Sequence, residues 1–353
     1  MDVLQLRILT SLGSFNYAKL WYLYGRNSPV QTLNANDLFQ YNSLADLAVA
    51  SSRRTADPWY SDFVKYHNNN NYADKLIRDT LEGNGKWGSS ASVAQRSAVI
   101  TETSAFMVLY LHLIAEINDA VNQCKGIASD GEYDLTHPWD EVAALLIGSL
   151  EGTTESGSSD LEDGQLIWGL ASRRAFQFQD LNNEGVAQVD SRLLDLLYAG
   201  RGEIDASECT SLEKTAEQIK LISMVPIMQS IMRYAIQNEK QSGMPGSADV
   251  ALGEIYALAI VPIMEGTDPA ASATVRENMI YQSGAQPVRG GAQAVADAIG
   301  NFAVGSGVRC SLIGYTPQTR PCRYHGGSSA PGLRPVVLTT TLVSAALSLF
   351  FLW

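Results

Sequence analysis

The sequence predicts an all-α protein, and three features lead to that prediction. Segments in which apolar residues recur every three or four positions dominate residues 1–305, as they do along one face of an α-helix. Alternating runs of β-branched residues, which are typical of strands, are nearly absent from the same region. Part of the helical pattern is also repeated, which favours a bundle of two related helical-hairpin halves.

The helix-period segments are separated by turn-rich joints such as HNNNN at 67–71 and KQSGMPGSAD at 240–249. Asn, Gly, Ser and Pro in these joints interrupt helices. Between the joints, the periodicity predicts helices over 3–24, 72–82, 92–124, 138–151, 163–177, 190–199, 211–238, 249–264, 270–282 and 290–304.

An internal repeat relates two of these segments. DEVAALLIGSLEGT at 140–153 aligns with GEIYALAIVPIMEGT at 253–267, where the second copy is one residue longer. Each copy places a Glu after a turn, then an apolar helix, then Glu-Gly-Thr. Each also follows a long apolar helix, at 101–121 and at 215–236. We therefore expect two hairpins, related by duplication, that pack face to face in one helical core.

This repeat and a change of composition define the predicted domains. One helical domain is expected over 1–305, with pseudo-repeats at about 92–180 and 211–305. Residues 306–335 are polar and rich in Gly and Pro, which predicts a stalk. Residues 336–353 are predicted to be a GPI-attachment signal or a membrane anchor.

The C-terminal segment VVLTTTLVSAALSLFFLW carries no charged residue. As a helix it would span about 27 Å, barely the hydrocarbon core of a bilayer. Small residues at Gly326–Ser329, a short spacer and a terminal apolar tail form the pattern of a GPI-attachment signal, and the alternative is a retained anchor. Both interpretations place the protein at a membrane.

The N-terminus does not resemble a secretory signal. It has an acidic second residue, carries Arg7 within its apolar stretch, and lacks a small-residue cleavage site. Because a GPI tail requires entry into the secretory pathway, we expect either that the true start lies upstream or that the chain is a fragment of a longer protein.

Charge and cysteine content exclude several classes of protein. A formal net charge of −12 argues against nucleic-acid binding and suits either a cationic ligand or simple solubility. The four cysteines contain no CxxC pair, so zinc-ribbon and thioredoxin sites have no support. Cys310 and Cys322 either close a disulfide loop in an oxidising compartment or remain free thiols.

The segment HPWDEVAALLIGSLEGT at 137–153 carries acidic residues in an apolar helix. Asp140 falls in the first turn, where a carboxylate meets the positive end of the helix dipole. Glu141 continues an apolar stripe, and a buried isolated charge must be paired or bound to a cation. Glu254 occupies the matching place in the second copy. Two carboxylates on facing helices predict a cation site, and solvated edges or Arg pairs are the alternatives.

Two further glutamates are weaker candidates. Glu151 lies about 16 Å along the helix from Asp140, so one metal ion cannot contact both residues. Glu102 begins the long helix before this hairpin turn, and antiparallel packing places it nearer Glu151 than Glu141.

Tyrosine and arginine extend the candidate site. The segment at 59–77 gathers oxygen and nitrogen ligands at Tyr60, Asp62, Tyr66, His67, Tyr72 and Asp74. Phenolate and carboxylate groups suit Fe³⁺ better than soft metals, which makes Tyr66, Tyr72 and Asp74 candidate ligands. The alternative is that both tyrosines are aromatic residues at the edge of the core. Arg174 supplies a guanidinium that could hold a small oxyanion.

Motifs of common enzymes are absent. The chain has no GxSxG, P-loop or HExxH motif, so we predict that it is not an enzyme. Di-metal oxidase bundles use Glu-x-x-His pairs, and none occurs. The alternative to metal binding is a surface structural or adhesion protein without a metal.

Four segments, HPWDEVAALLIGSLEGT, LIWGLASRRAFQF, KYHNNNNYADKLIRDTLEG and ALGEIYALAIVPIMEGTDPAASATVRENM, are similar to the algal iron-assimilating family. This family is also called the low-iron-inducible periplasmic protein family and includes the phytotransferrins. The resemblance runs from about Leu23 to GVRCSLIG at 307–314.

The resemblance implies capture of ferric iron at the cell surface or in the periplasm, without catalysis. It also implies carbonate as a synergistic anion, a tether at the C-terminus, and a ferric reductase or transporter that takes the iron onward. Tandem domains occur in the family, which would explain a chain without a signal peptide.

Several positions carry the resemblance residue by residue. The family motif is matched at Trp139-Asp140-Glu141, at 148–152, at Tyr72-Ala73-Asp74 and at the basic position of Arg174.

The chain departs from the family at two of its positions. His67 stands where a second aromatic is expected, and Ala175 stands where a cysteine is expected. The second departure would leave Cys124 or Cys209 without a partner.

Overall fold

The computed structural model describes residues 2–25, 43–49, 57–127, 137–148, 164–240, 246–281 and 287–323. Over these ranges the regular structure is helical and contains no β-strand, apart from one antiparallel bridge between Leu181 and Ala187. The predicted all-α class is therefore confirmed.

The α-helices of the described ranges follow one another with mostly short connections, and one π-helical turn (Ser104–Leu109) joins α6 to α7. In chain order they are α1 (Asp2–Ser11), α2 (Phe15–Tyr24), α3 (Leu44–Ala48), α4 (Pro58–His67), α5 (Tyr72–Glu82), α6 (Val93–Thr103), α7 (Tyr110–Cys124), α8 (His137–Ile147), α9 (Ile167–Phe178), α10 (Gln188–Asp205), α11 (Cys209–Ser223), α12 (Val225–Lys240), α13 (Ala248–Leu258), α14 (Val261–Thr267), α15 (Pro269–Met279), α16 (Ala292–Gly305) and α17 (Cys310–Ile313).

Helix α4 was missed by the periodicity, and its capping explains why it forms. Pro58 occupies the first helical position, where its missing N–H costs nothing. The Asp57 carboxylate accepts hydrogen bonds from the backbone N–H groups of Trp59 (2.8 Å) and Tyr60 (3.1 Å). Asn68 ends the helix in the left-handed conformation, with φ of 48°.

Prolines divide two of the long predicted helices. The predicted helix at 211–238 separates into α11 and α12 just before Pro226, which cannot donate a backbone hydrogen bond. The predicted helix at 249–264 separates into α13 and α14 ahead of Pro262, with a bend of 41°.

Helix α12 lies at the centre of the bundle, packed against α9, α13, α16 and α17. Its side chains are buried almost all round, and the buried set includes the polar residues Gln229, Ser230 and Asn238. Two stretches, Val93–Cys124 and Cys209–Lys240, are long and apolar enough to cross a membrane. In this fold, 83% and 89% of their most apolar windows are buried inside the bundle.

The first part of the predicted stalk, residues 306–322, belongs to the helical unit. Met1–Cys322 form one compact unit, in which α17 packs on α12 and α16. The backbone N–H of Tyr315 donates to the Phe178 carbonyl (2.9 Å), and Ile313 is fully buried. The polar composition of this segment predicts a stalk. Backbone hydrogen bonds and the Cys310–Cys322 disulfide instead hold residues 306–322 in the folded unit. The apolar tail at 336–353 lies outside the described residues.

All four cysteines form disulfides. Cys310 pairs with Cys322, which resolves the two interpretations left open by the sequence. Cys124 pairs with Cys209 across 85 residues, so the expectation of an unpaired cysteine was wrong. This bridge joins the end of α7 to the start of α11, and closing a loop of that length stabilises the fold on the order of 4 kcal/mol.

Replacing Gly300 by alanine should loosen the C-terminal segment. A Cβ at Gly300 would lie 1.8 Å from the Pro321 carbonyl oxygen, so α16 and residues 310–322 would have to separate. We expect Gly300→Ala to lower the free energy of unfolding by about 3 kcal/mol, measured by urea denaturation.

Gly305 at the end of the same helix provides the matched control. A Cβ there would meet nothing within 4 Å. Gly305→Ala should therefore change the free energy of unfolding by less than about 1 kcal/mol. Equal effects of the two substitutions would contradict the close approach at Gly300.

Candidate functional site

The first pair of predicted ligands lies on the surface of α8. Asp140 is 56% exposed and its carboxylate lies 3.3 Å from the Arg201 guanidinium. Glu141 is 45% exposed, with His137 Nδ1 3.8 Å away. The face of α8 that turns inward carries Trp139, Val142 and Leu146. The expectation that Glu141 points into the core was therefore wrong, because the buried stripe is rotated by one residue.

Glu254 does point inward, and a lysine balances its charge. The residue is 5% exposed, and its Oε2 contacts the Lys86 ammonium and accepts from the Tyr281 backbone N–H (3.3 Å). Burial raises the pKa of Glu254, and the Lys86 charge opposes that rise. Lys86 therefore neutralises Glu254, and the structure does not bring Glu254 together with Glu141. The sequence did not reveal Lys86, which lies in a turn without periodicity.

Tyr66 and Tyr72 are brought together by His67. The His67 ring stacks on Tyr72 (centroids 4.7 Å apart) and meets Tyr66 edge-on (5.0 Å). Burial lowers the pKa of His67 to about 4, so the imidazole is neutral at physiological pH. Burial raises the pKa of the Tyr66 phenol, and the Glu254 carboxylate is near enough to add to that rise.

Asp74 belongs to a different contact. Its two carboxylate oxygens share the single N–H of Arg78 Nε (2.7 and 2.8 Å), and Oδ1 also accepts from the Tyr22 hydroxyl (3.0 Å). Asp74 therefore forms an ion pair with Arg78. Glu151, the remaining acidic residue of the predicted set, lies outside the described residues.

Across the parts of the chain that the structure describes, no group of three or more His, Cys, Asp or Glu side chains could hold a metal ion. A metal site in these parts of the chain would therefore have to include oxygen donors of another type. Tyrosine is the other side chain that binds ferric iron well, because its phenolate is a hard oxygen donor.

Arg174, the predicted anion-binding residue, lies close to such a tyrosine. It is buried on α9, and its Nε donates to Ser230 Oγ (2.8 Å) and its Nη1 to Gln177 Oε1 (2.9 Å). Its guanidinium carbon lies 5.6 Å from the centre of the Tyr234 ring. The guanidinium of Arg233 lies 5.8 Å from the same ring centre. Two guanidinium groups thus adjoin one buried phenol ring.

Tyr256 completes this arrangement. Its ring lies nearly parallel to that of Tyr234, with centroids 5.6 Å apart, and its hydroxyl donates to Glu102 Oε2 (2.7 Å). Burial raises the pKa of Tyr256 well above its ordinary value, Glu102 and Tyr234 add to the rise, and the Arg174 charge opposes it. We call Glu102, Arg174, Arg233, Tyr234 and Tyr256 the tyrosine–arginine cluster.

Helix packing brings the members of the cluster together. Helix α13 carries Tyr256 and packs against both α6 and α12. Gly253 permits this close approach, because a Cβ there would lie 3.2 Å from the Tyr234 Cβ. Glu102 stands two residues before the π-helical turn, where the helix register changes. Such turns are frequent at functional sites.

Sequence reasoning named Glu102 and Arg174 in this cluster and missed the other three members. A signal for Tyr256 was present, because it stands in the internal repeat where the first copy has Ala143. A phenol in an otherwise apolar stripe needs a polar partner when it is buried.

The cluster combines hard oxygen donors with guanidinium groups. Two phenols and a carboxylate are hard oxygen donors, and two guanidinium groups can hold a planar anion through paired N–H donors. Glu102 and Arg233 remain partly exposed, so solvent reaches one side of the cluster. Comparison of this chain with protein-family models, curated proteins and solved structures finds no match.

Proposed function

We propose that this protein binds ferric iron at the cell surface or in the periplasm for uptake, and that the tyrosine–arginine cluster is its iron site. One observation carries the proposal: the buried Tyr256 phenol donates to Glu102 (2.7 Å), and Tyr234 and Arg174 lie beside it. A phenol–carboxylate pair of this kind can exchange its shared proton for a trivalent cation, which both oxygens then bind.

The roles within the cluster follow from charge. Tyr256, Tyr234 and Glu102 would supply oxygen ligands, which suit Fe³⁺. Arg174 and Arg233 would hold carbonate, since a guanidinium binds planar oxyanions through two N–H groups. The ligands expected from the sequence are reassigned, because Asp140, Glu141, Asp74 and Glu254 each have a cationic or imidazole partner elsewhere.

Other parts of the chain fit the same function. Helix α7 packs on α8, and α12 packs on α13, in keeping with two related hairpin halves. Glu102 precedes the first hairpin, and Tyr234 and Tyr256 lie in the second. An apolar C-terminal segment would hold the protein at a membrane, where a ferric reductase or transporter would receive the iron.

Titration of the purified full chain with ferric nitrilotriacetate tests the proposal. The protein is kept in mild detergent because of its apolar tail. We expect stoichiometric binding, a visible tyrosinate-to-iron absorption band, and affinity at least about tenfold higher with bicarbonate present. Affinity should also fall as the pH is lowered, because binding displaces the phenol proton of Tyr256, whose pKa burial holds high.

A structural or adhesion protein would behave differently in the same experiment. It would show neither a visible band nor a rise in melting temperature with iron, since a ligand stabilises only a fold that binds it. That pair of results would overturn the proposal.

A further inference from the structure

A second feature, separate from the tyrosine–arginine cluster, is a cleft of about 530 Å³. It lies between the start of α4, the second half of α7 and the helix α11. This volume is within the range of small-molecule sites, roughly 300–1,000 Å³. The Cys124–Cys209 disulfide joins α7 to α11 beside it, so two of its walls are covalently held together.

A buried ammonium group faces this cleft. Lys220 is 8% exposed, and its Nζ donates to Glu217 Oε1 (2.7 Å). An ammonium has three N–H donors, and this is its one hydrogen bond to the described residues. Asp57, also at the cleft, is close enough for the Lys220 charge to oppose the rise in pKa that burial causes. Its oxygens already accept from Trp59, Tyr60 and Asn118. Lys220 therefore has donors for an acceptor within the cleft.

The rim of the cleft has the opposite character. Glu213 and Glu217 on α11 are 50% and 57% exposed. The lining contains four carboxylates and two lysines, so it carries an excess of negative charge. A ligand with only a negative group would be repelled by this excess. A ligand that meets both Lys220 and the rim must carry a positive group as well.

The remaining wall is apolar. Ile114, Ala115 and Val121 are buried on α7, and Trp59 lies half-buried at the start of α4. These side chains add hydrocarbon surface to a cleft that is also lined by the Lys220 ammonium and the exposed carboxylates. A buried ammonium beside exposed carboxylates fits an organic molecule that carries both a negative and a positive group.

We propose that the cleft binds a free amino acid with an apolar side chain. Its carboxylate accepts from the Lys220 ammonium, its own ammonium donates to Glu217, and its side chain packs against Trp59, Ile114 and Val121. The proposal is independent of iron binding, because none of these residues belongs to the tyrosine–arginine cluster.

Calorimetric titration of the iron-free full chain with three related probes tests this assignment. L-Leucine carries both charged groups, isopentylamine lacks the carboxylate, and 4-methylpentanoate lacks the ammonium. We expect leucine to bind at least about tenfold more tightly than either single-charge probe, since each lost charged hydrogen bond costs that much. Equal binding of leucine and the amine, or no leucine binding at about 10 mM, would overturn the proposal.

Variants on α11 separate the cleft from general effects. Lys220→Met keeps the buried hydrocarbon stem and should weaken leucine binding at least about tenfold. Lys214→Met removes the same charge at an exposed position of the same helix and should leave binding unchanged. Because Glu217 is exposed, Glu217→Gln should fold like the wild type. It should also weaken leucine binding. Unaltered affinity in the Glu217 variant would exclude the proposed orientation even if Lys220→Met failed to fold.

Discussion

Tyr256→Phe is expected to lower the intensity of the visible absorption band of the ferric protein, leaving only the Tyr234 contribution, and to weaken iron binding by at least about 100-fold. The substitution deletes one oxygen atom and leaves a ring of the same shape, so its stacking on Tyr234 and Phe106 is preserved. It also leaves Glu102 without the hydroxyl that donates to it. The measurement is ferric titration monitored by absorbance, with the melting temperature of the iron-free variant recorded to confirm folding.

Two controls make this result specific. Tyr198 is 70% exposed on α10, and Tyr198→Phe should leave both the band and the affinity unchanged. Glu141→Gln distinguishes the tyrosine–arginine cluster from the ligand set expected from the sequence, because Glu141 lies on the surface of α8. Iron binding that survives in Tyr256→Phe and disappears in Glu141→Gln would show that the cluster is not the site.

Asp180→Asn is expected to stabilise the protein at alkaline pH and to stabilise it less at acidic pH. Asp180 is 1% exposed, and neither of its carboxyl oxygens has a hydrogen-bond partner in the described ranges. Burial raises its pKa from 3.8 to about 7, and the neighbouring Gln229 partly offsets the rise. Gln229 in turn donates to the Ile313 carbonyl (3.1 Å), so Asp180 lies where the 310–322 segment joins the bundle.

The direction of the effect follows from proton linkage. Between pH 3.8 and about 7 the folded protein holds a proton on Asp180 that the unfolded chain has lost. Stability contributed by this group therefore falls as the pH rises through that window, and the loss is complete above it. The shift is worth up to about 4 kcal/mol, and water penetration around the ionised group reduces the expected loss to about 2 kcal/mol.

Urea denaturation at pH 5 and pH 8 measures this difference between the wild-type chain and the variant. The Asn amide cannot ionise and can donate to Gln229 Oε1, which has no partner in the described ranges. The variant should therefore gain about 2 kcal/mol over the wild type at pH 8. Asp195→Asn, at an exposed position on α10, should change neither value. A variant that was destabilised equally at both pH values would contradict this account of Asp180.

The comparison between variant and wild type is needed because other groups titrate in the same range. Burial lowers the pKa of His67 to about 4, so that group favours folding more as the pH rises from 4 towards 6.5. Asp180 acts in the opposite direction over part of the same window. The difference between the two chains removes the His67 contribution and isolates Asp180.

Helix positions were predictable where local signals were strong. The segment at 72–82 was predicted with the bounds that α5 has in the structure, because a turn precedes it, Gly83 follows it and its apolar residues keep one face. Helix α4 was missed because its stability depends on the Asp57 cap rather than on a long periodic stripe. The packing of residues 306–322 was missed because their polar composition conceals hydrogen bonds to distant carbonyl groups.

The candidate site was harder to predict than the helices. Asp140, Glu141 and Glu254 have the residue type and spacing of a bundle metal site, yet each has a partner of its own. Lys86, which neutralises Glu254, is 168 residues away in sequence, and no local pattern relates the two. Glu102 and Tyr256 are similarly separated, by 154 residues, and meet because α13 packs against α6.

The order of residues along this chain accounts for its helical class, the approximate positions of most longer helices and the abundance of hard oxygen donors. Those properties depend on interactions within a few turns of backbone, which leave a periodic trace in the sequence. Which carboxylate is neutralised by a lysine and which meets a tyrosine depends on contacts between helices far apart in the chain. Such contacts require the packed bundle, because a rotation of one helix by a single residue exchanges a buried side chain for an exposed one.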